Sequence, residues 1–356
     1  MTRRCLCRSL ATLSIVALAA DRPVHAQGLA GRVALEGIAS ISSPAGGMND
    51  PRVVLDLVST VRVADGWDIV LRPWSMRRPG GDWKFEMYQL QVRYVSSTRV
   101  PFRVDAGILP SPVGLSTLEL QPHRNPLINS PSYYFVPLPA VDGRFDDVRL
   151  ISGGYPVGAM LSVSGSRWDA RGGVTDSSPV QPRNLFSAAR PPAQPQLVLG
   201  GGVTPIPGMR LGAGFTRGGY RPGATTTGSV DGPWTATVIN LEAEYAVGYT
   251  RLSGEWVRDR FDMPTGPAFA RGFNVQAVHT LSPRIFAAAR GTRVTAPTTT
   301  IPSEVLRSSA DVEAILGYRL TTDLTVRAGY QRQRAYRETE WHGSAVMSVV
   351  WADRWW

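Results

Sequence analysis

The residues able to do chemistry in this chain are few, and they point away from covalent catalysis. Its 2 cysteines, Cys5 and Cys7, sit at the very start, so the remainder has no disulfide, thiolate ligand or cysteine nucleophile. Of its 4 histidines, His279 lies on the apolar register of an alternating stretch, and His123 stands at no recognisable triad spacing. No Gly-x-Ser-x-Gly elbow occurs. The cluster Gly212-Ala213-Gly214 opens no helix and makes no phosphate cradle. Asp142, Asp146 and Asp147 offer carboxylates to Ca²⁺, but a site needs more oxygen ligands than this spacing guarantees. No catalytic residue, metal site or cofactor is expected.

Arginine, by contrast, is abundant. All but one (Lys84) of the 38 basic residues are arginine, and the formal net charge is +10. A basic excess can serve nucleic acid, but the N-terminus reads as an export signal, and no nucleic-acid partner is expected. Arg3, Arg4 and Arg8 precede an apolar run, Leu10 to Ala20, and Val24-His25-Ala26 forms an Ala-x-Ala-like cleavage site. Residues 1–26 are therefore read as a cleaved leader and 27–356 as the mature chain. The planar guanidinium fork suits carboxylate and phosphate, and so an anion path; a coding bias toward arginine would give the same ratio.

The elements that must position these charges have a period of 2. Val53, Leu55 and Leu57 alternate with Arg52 and Asp56; Tyr88, Leu90, Val92 and Tyr94 with Gln89, Gln91 and Arg93. Further on, Val312, Ala314, Leu316 and Tyr318 oppose Asp311, Glu313 and Arg319. One apolar and one charged face per strand is the lipid-out, lumen-in pattern of a transmembrane β-barrel. After the leader no apolar run of about 18 residues offers a membrane helix. The pattern predicts about sixteen antiparallel strands, among them a kinked strand over 146–164 that runs through Gly153-Gly154 and Pro156. Connections alternate between short turns, such as Gly248-Tyr249, and long loops. With both termini on the short-turn side, 110–145 becomes the third long loop. It is proline-rich and lacks any period, as a constriction loop would.

On the inward register, ionisable residues are the candidates for function. The expected pore-lining and constriction set is Arg93, Arg103, Asp105, Glu119, His123, Arg124, Arg144, Arg251, Arg290 and Arg327. Facing them are acids that include Asp56, Glu242, Glu244, Glu255, Asp311 and Glu313. Opposed charges across a lumen filter solutes by charge and size, although many such residues also pair simply to satisfy one another.

One passage carries a family resemblance. Ala106-Gly107-Ile108-Leu109 leads into Pro112-Val113-Gly114-Leu115, then Arg124 and a polar loop. It resembles the phosphate-selective porin O/P type and related carbohydrate porins. The resemblance implies a sixteen-stranded channel assembled as a homotrimer. The expectation is thus a bacterial outer-membrane porin, surrounded by outer-membrane lipids, that passes small polar or anionic solutes passively. Two other readings stand beside it: a barrel enzyme acting on lipid or lipopolysaccharide, and a structural barrel with a plugged lumen.

Overall fold

A computed structural model describes residues 33–43, 52–78, 80–96, 100–111, 113–114, 121–134, 136–139, 148–151, 154–177, 180, 195–221, 225–226, 229–230, 234–262, 266–297 and 303–354. The expected leader, 1–26, lies outside the described residues, as do Glu119 and Arg144.

The first half of the chain forms β1 (Val33–Ser43), β2 (Arg52–Ala64), β3 (Trp67–Arg77), β4 (Lys84–Val95), β5 (Phe102–Ile108), β6 (Val157–Ser164), β7 (Trp168–Thr175) and β8 (Gln196–Val203). The second half adds β9 (Met209–Arg221), a two-residue hairpin β10 (Thr225–Thr226) and β11 (Ser229–Val230), then β12 (Trp234–Val247), β13 (Thr250–Phe261) and β14 (Ala268–Thr280). It ends with β15 (Ile285–Thr295), β16 (Ser308–Arg319), β17 (Leu324–Arg334) and β18 (His342–Arg354). All but the small hairpin join one closed barrel of sixteen strands, each beside its neighbour in the chain. β18 returns to β1 and abolishes the free edge, from Glu36 opposite Arg354 to Ser43 opposite Met347.

The alternation turns the barrel inside out relative to a soluble core. Glu313 on β16 is 0% exposed, whereas Val312 and Leu316 are 51% and 55% exposed. Leu241, Phe273, Val275 and Met347 are likewise exposed, so the outer wall is an apolar surface suited to a bilayer. No helix among the described residues is long and apolar enough to cross a membrane; the crossing is made by strands.

Two sequence expectations change. The kinked strand over 146–164 does not form: β6 starts only at Val157. Val148, Leu150 and Ile151 alternate no further than a short stretch and are buried inside the barrel. The connection from β5 to β6 therefore spans 109–156, longer than the expected 110–145, and the alternation of short and long connections survives intact. The second change is Tyr88, expected on the lipid face. Arg72 pairs with Gln89 and Pro73 with Met87, which leaves Tyr88 as the extra residue of a bulge. Pro73 has no N–H for the ladder, and a bulge accommodates it. The bulge turns Tyr88 inward, stacked between Trp74 at 4.7 Å and Tyr155 at 4.1 Å.

The interior is filled by the long connection. Val113, Tyr133, Tyr134, Leu138, Val148, Leu150 and Ile151 pack with inward residues of the wall, among them Val198, Val238, Val257 and Phe261. A second cluster joins Leu127 and Ile128 to Phe286, Ala288, Ile315 and Val346. Burying these loop side chains avoids a large exposed apolar patch and holds the loop inside.

Candidate pore constriction

β5 and β15 stand eight strands apart in either direction around the ring. The loop that leaves β5 crosses that diameter. At its far end, Glu313 Oε1 accepts the backbone N–H of Ile128 at 2.9 Å and of Asn129 at 3.2 Å. Arg290 Nη2 on β15 donates to the Asn129 carbonyl at 2.8 Å and to Glu313 Oε2 at 3.1 Å. Asn129 Nδ2 donates to Gln331 Oε1 on β17 at 3.0 Å. Arg327 Nη1 donates to the carbonyls of Leu127, at 2.7 Å, and of Asn125. Arg327 Nε also donates to Ser348 Oγ at 2.9 Å. Glu313 and Arg290 lie near the middle of their strands, so the loop meets the wall at the barrel's waist.

A second mooring lies on β13, where the Tyr133 hydroxyl donates to Glu255 Oε2. Gly114 sits against Glu255 and the Tyr134 hydroxyl with φ of +95°, a conformation open to glycine. Burial first, then the negative charge of Glu255, pushes the Tyr134 hydroxyl well above its ordinary pKa, so it stays neutral.

The near side of the loop, the Tyr155 segment, is moored to β2 and β3. Arg72 donates to Asp56 through Nε at 2.9 Å and Nη2 at 2.6 Å, and to the Tyr155 hydroxyl through Nη1 at 3.0 Å. The Arg72 guanidinium also lies 5.2 Å from the Tyr88 ring centre, adding a cation–π contact to the bulge.

Away from the moorings, a cavity of about 400 Å³ remains along the wall from β4 to β12, bounded on the loop side by Leu109 to Ser111 and Gly114. Its charges are bracketed. Asp105 takes Arg93 Nε at 2.7 Å and Arg103 Nε at 2.7 Å, plus Gln91 Nε2 at 3.1 Å. Glu242 takes Arg210 Nη1 at 3.0 Å and approaches Arg171 Nη2 at 3.7 Å. Each carboxylate thus has two guanidiniums, although Arg210 also gives Nε, at 3.1 Å, and Nη2, at 3.0 Å, to Asp169. Met160, Ser162 and Glu244 complete the lining.

The expected set therefore divides. Arg93, Arg103 and Asp105 line the cavity together. Arg290 and Arg327 face inward as expected but are covered by the loop and act as its anchors. Arg124 is exposed, and its Nε donates to His123 Nε2 at 3.3 Å. His123 packs against the wall, 15% exposed and 3.6 Å from Glu36. Burial, then the positive charges of Arg124 and Arg72, holds its imidazole down to about 4, so that contact joins a neutral ring to a carboxylate. Arg251 lies on the inward register at the short-turn end of β13, opposite Ala246 and Val278, and is exposed.

Sequence reasoning passed over Arg171 and Arg210, which the same alternation puts inside. It also passed over Asn125 and Asn129, whose part is played mostly by backbone groups that carry no residue signature.

No protein-family model matches the sequence, and no curated relative matches it. The solved structures do. The chain is similar to OprB of Pseudomonas putida, with a TM-score of 0.60 and 11% identity over 93% of this chain and 96% of that one. It is similar to the trimer form of OmpT, an outer membrane protein of Vibrio cholerae, with a TM-score of 0.59 and 11% identity over 90% and 99%. An anion-selective porin from Comamonas acidovorans matches with a TM-score of 0.53 and 11% identity over 90% and 98%. The fold is that of the sixteen-stranded porin barrels of bacterial outer membranes.

Proposed function

We propose that this chain is an outer-membrane porin, a passive channel for small polar or anionic solutes whose width is set by the 109–156 loop. The observation that carries this reading is the loop's passage across the full diameter to Arg290, Glu313 and Arg327 at the waist. Sixteen strands enclose an aqueous lumen unless something fills it, and here the loop fills one side and leaves the arginine-lined cavity on the other. The preference for anions rests on a lining of four arginines, Arg93, Arg103, Arg171 and Arg210, against three acids, Asp105, Glu242 and Glu244. The O/P-type resemblance extends the reading to a homotrimer, testable by native mass in detergent.

Planar-bilayer recordings test the channel. Purified protein should give discrete conductance steps, with a reversal potential of anionic sign in a salt gradient. A variant lacking 116–136 should keep the barrel, conduct more and discriminate ions less. A plugged structural barrel is the second reading, favoured by the complete burial of Arg290 and Glu313. It predicts no steps until the loop is deleted. Turnover of lipid by the same preparation would favour the enzyme reading instead.

A further inference from the structure

The lipid-facing register should be apolar, yet at the long-loop end of β13 to β15 it carries arginines. Trp256, Phe273 and Arg293 stand side by side across three strands. One row further out, Arg258 is directly opposite Arg271. Like charges in direct cross-strand register destabilise a sheet unless an anion lies between them. Among the described residues one acid reaches this row: Glu304, from the following loop, whose Oε1 takes Arg271 Nη2 at 3.1 Å and Arg293 Nη2 at 3.4 Å. Arg258 leans over the Phe269 ring at 5.1 Å. Glu304 therefore serves two guanidiniums, and Arg258, directly opposite Arg271, adds a third positive charge to the row.

The place is also a pocket. About 200 Å³ of open pocket is lined by Trp256, Arg271, Gly272, Phe273, Arg293, Thr295 and Glu304. Arg271 is 60% exposed and Arg293 41%, so the ends of their forks are open to a ligand, while Arg293 Nε is buried and has no acceptor among the described residues. Toward the membrane centre, Trp256, Phe273, Leu241 and Val275 continue the surface as exposed apolar side chains. Cations directly above an aromatic row mark the boundary between headgroups and acyl chains. The long-loop end of such a barrel faces out of the cell, so the boundary is that of the outer leaflet.

We propose that Arg271 and Arg293, with the charge of Arg258 beside them, form a binding site for the phosphate of a phosphorylated outer-leaflet lipid, whose acyl chains lie along Trp256 and Phe273. Guanidinium forks bind phosphate through paired hydrogen bonds, and the phosphate supplies the negative charge that the Arg258–Arg271 register lacks. Glu304 occupies part of the site and competes with the ligand. The site depends on the outer-membrane placement and is independent of conduction.

The test uses the full mature barrel, folded in detergent, with three probes: diphosphorylated lipid A, its phosphate-free form and inorganic phosphate. Diphosphorylated lipid should bind and raise the unfolding temperature. Arg271→Gln with Arg293→Gln should weaken that binding about tenfold or more, the worth of one lost charge-assisted hydrogen bond. Glu304→Gln should tighten it, a change of opposite sign that reports even if the double variant fails to fold. Single-channel conductance should be unchanged in every folded variant, which separates this site from the channel. Equal binding of the phosphate-free lipid, or weaker binding in Glu304→Gln, overturns the proposal. So does displacement of the lipid by inorganic phosphate at equal concentration.

Discussion

Arg290 on β15 and Glu313 on β16 pair at 3.1 Å with neither side chain exposed, and the backbone of Asn129 bonds to both. Desolvating two charges offsets most of their attraction, so a buried pair contributes little stability alone. Here Glu313 also takes the N–H groups of Ile128 and Asn129 and Arg290 Nη2 the Asn129 carbonyl, while Arg290 Nε and Nη1 have no hydrogen-bond partner among the described residues. The pair is better understood as a clamp on that loop than as a support of the barrel.

Removing one half of the clamp leaves the other charge buried. Glu313→Ala should cost about 3–5 kcal/mol, measured by unfolding in detergent. Arg290→Met with Glu313→Leu should cost much less, because no charge is stranded. Both variants should release the loop and raise single-channel conductance.

Gly114→Ala tests the second mooring. At φ of +95° a Cβ is strained, and it would run into the Tyr134 hydroxyl and lie 3.0 Å from Glu255 Oε1. The expected cost is roughly 1–3 kcal/mol, read as a lower unfolding temperature together with faster proteolysis of the loop.

The loop seat should weaken in acid through His123. Its folded-state pKa is about 4, against about 6.5 for the unfolded side chain. Between those values the released state binds the proton and the seated state does not, so seating is favoured above the upper value and lost as pH falls toward the lower one. Loop proteolysis should accelerate over that window, and His123→Gln should flatten the response.

The face assignment is tested by arginine. Leu316→Arg, on a site 55% exposed to the bilayer, should cost about 2–4 kcal/mol if at the midplane. Gln91→Arg, in the cavity lining and opposite Val70 and Gly107, should assemble normally. Heat-modified gel mobility separates folded from unfolded barrels in both cases.

Most of the barrel is legible in the sequence because a strand with lipid on one side and water on the other must alternate. The same rule misreads two places. Val148 and Leu150 have strand-like spacing, but with Ile151 and Tyr155 they belong to a loop that packs inside the lumen and buries them. Tyr88 follows the lipid register until one bulge beside Pro73 reverses it. Arg93, Arg103 and Asp105 were legible as a group because adjacent strands share one inward face. That Arg290 and Arg327 anchor a loop was not, since their partners are carbonyls some 161 to 202 residues away.

The crossing loop also sets an order of assembly. Ile128 is 185 residues from Glu313, and Leu127 is 200 from Arg327. Contacts so distant along the chain form after local hairpins. The wall that receives the loop does not exist until β15 to β17 have zipped together. The nascent barrel must therefore pass through a wide, unobstructed stage, and its narrowing is among the last events of folding. Chains truncated before β16 would leave the loop with no far shore.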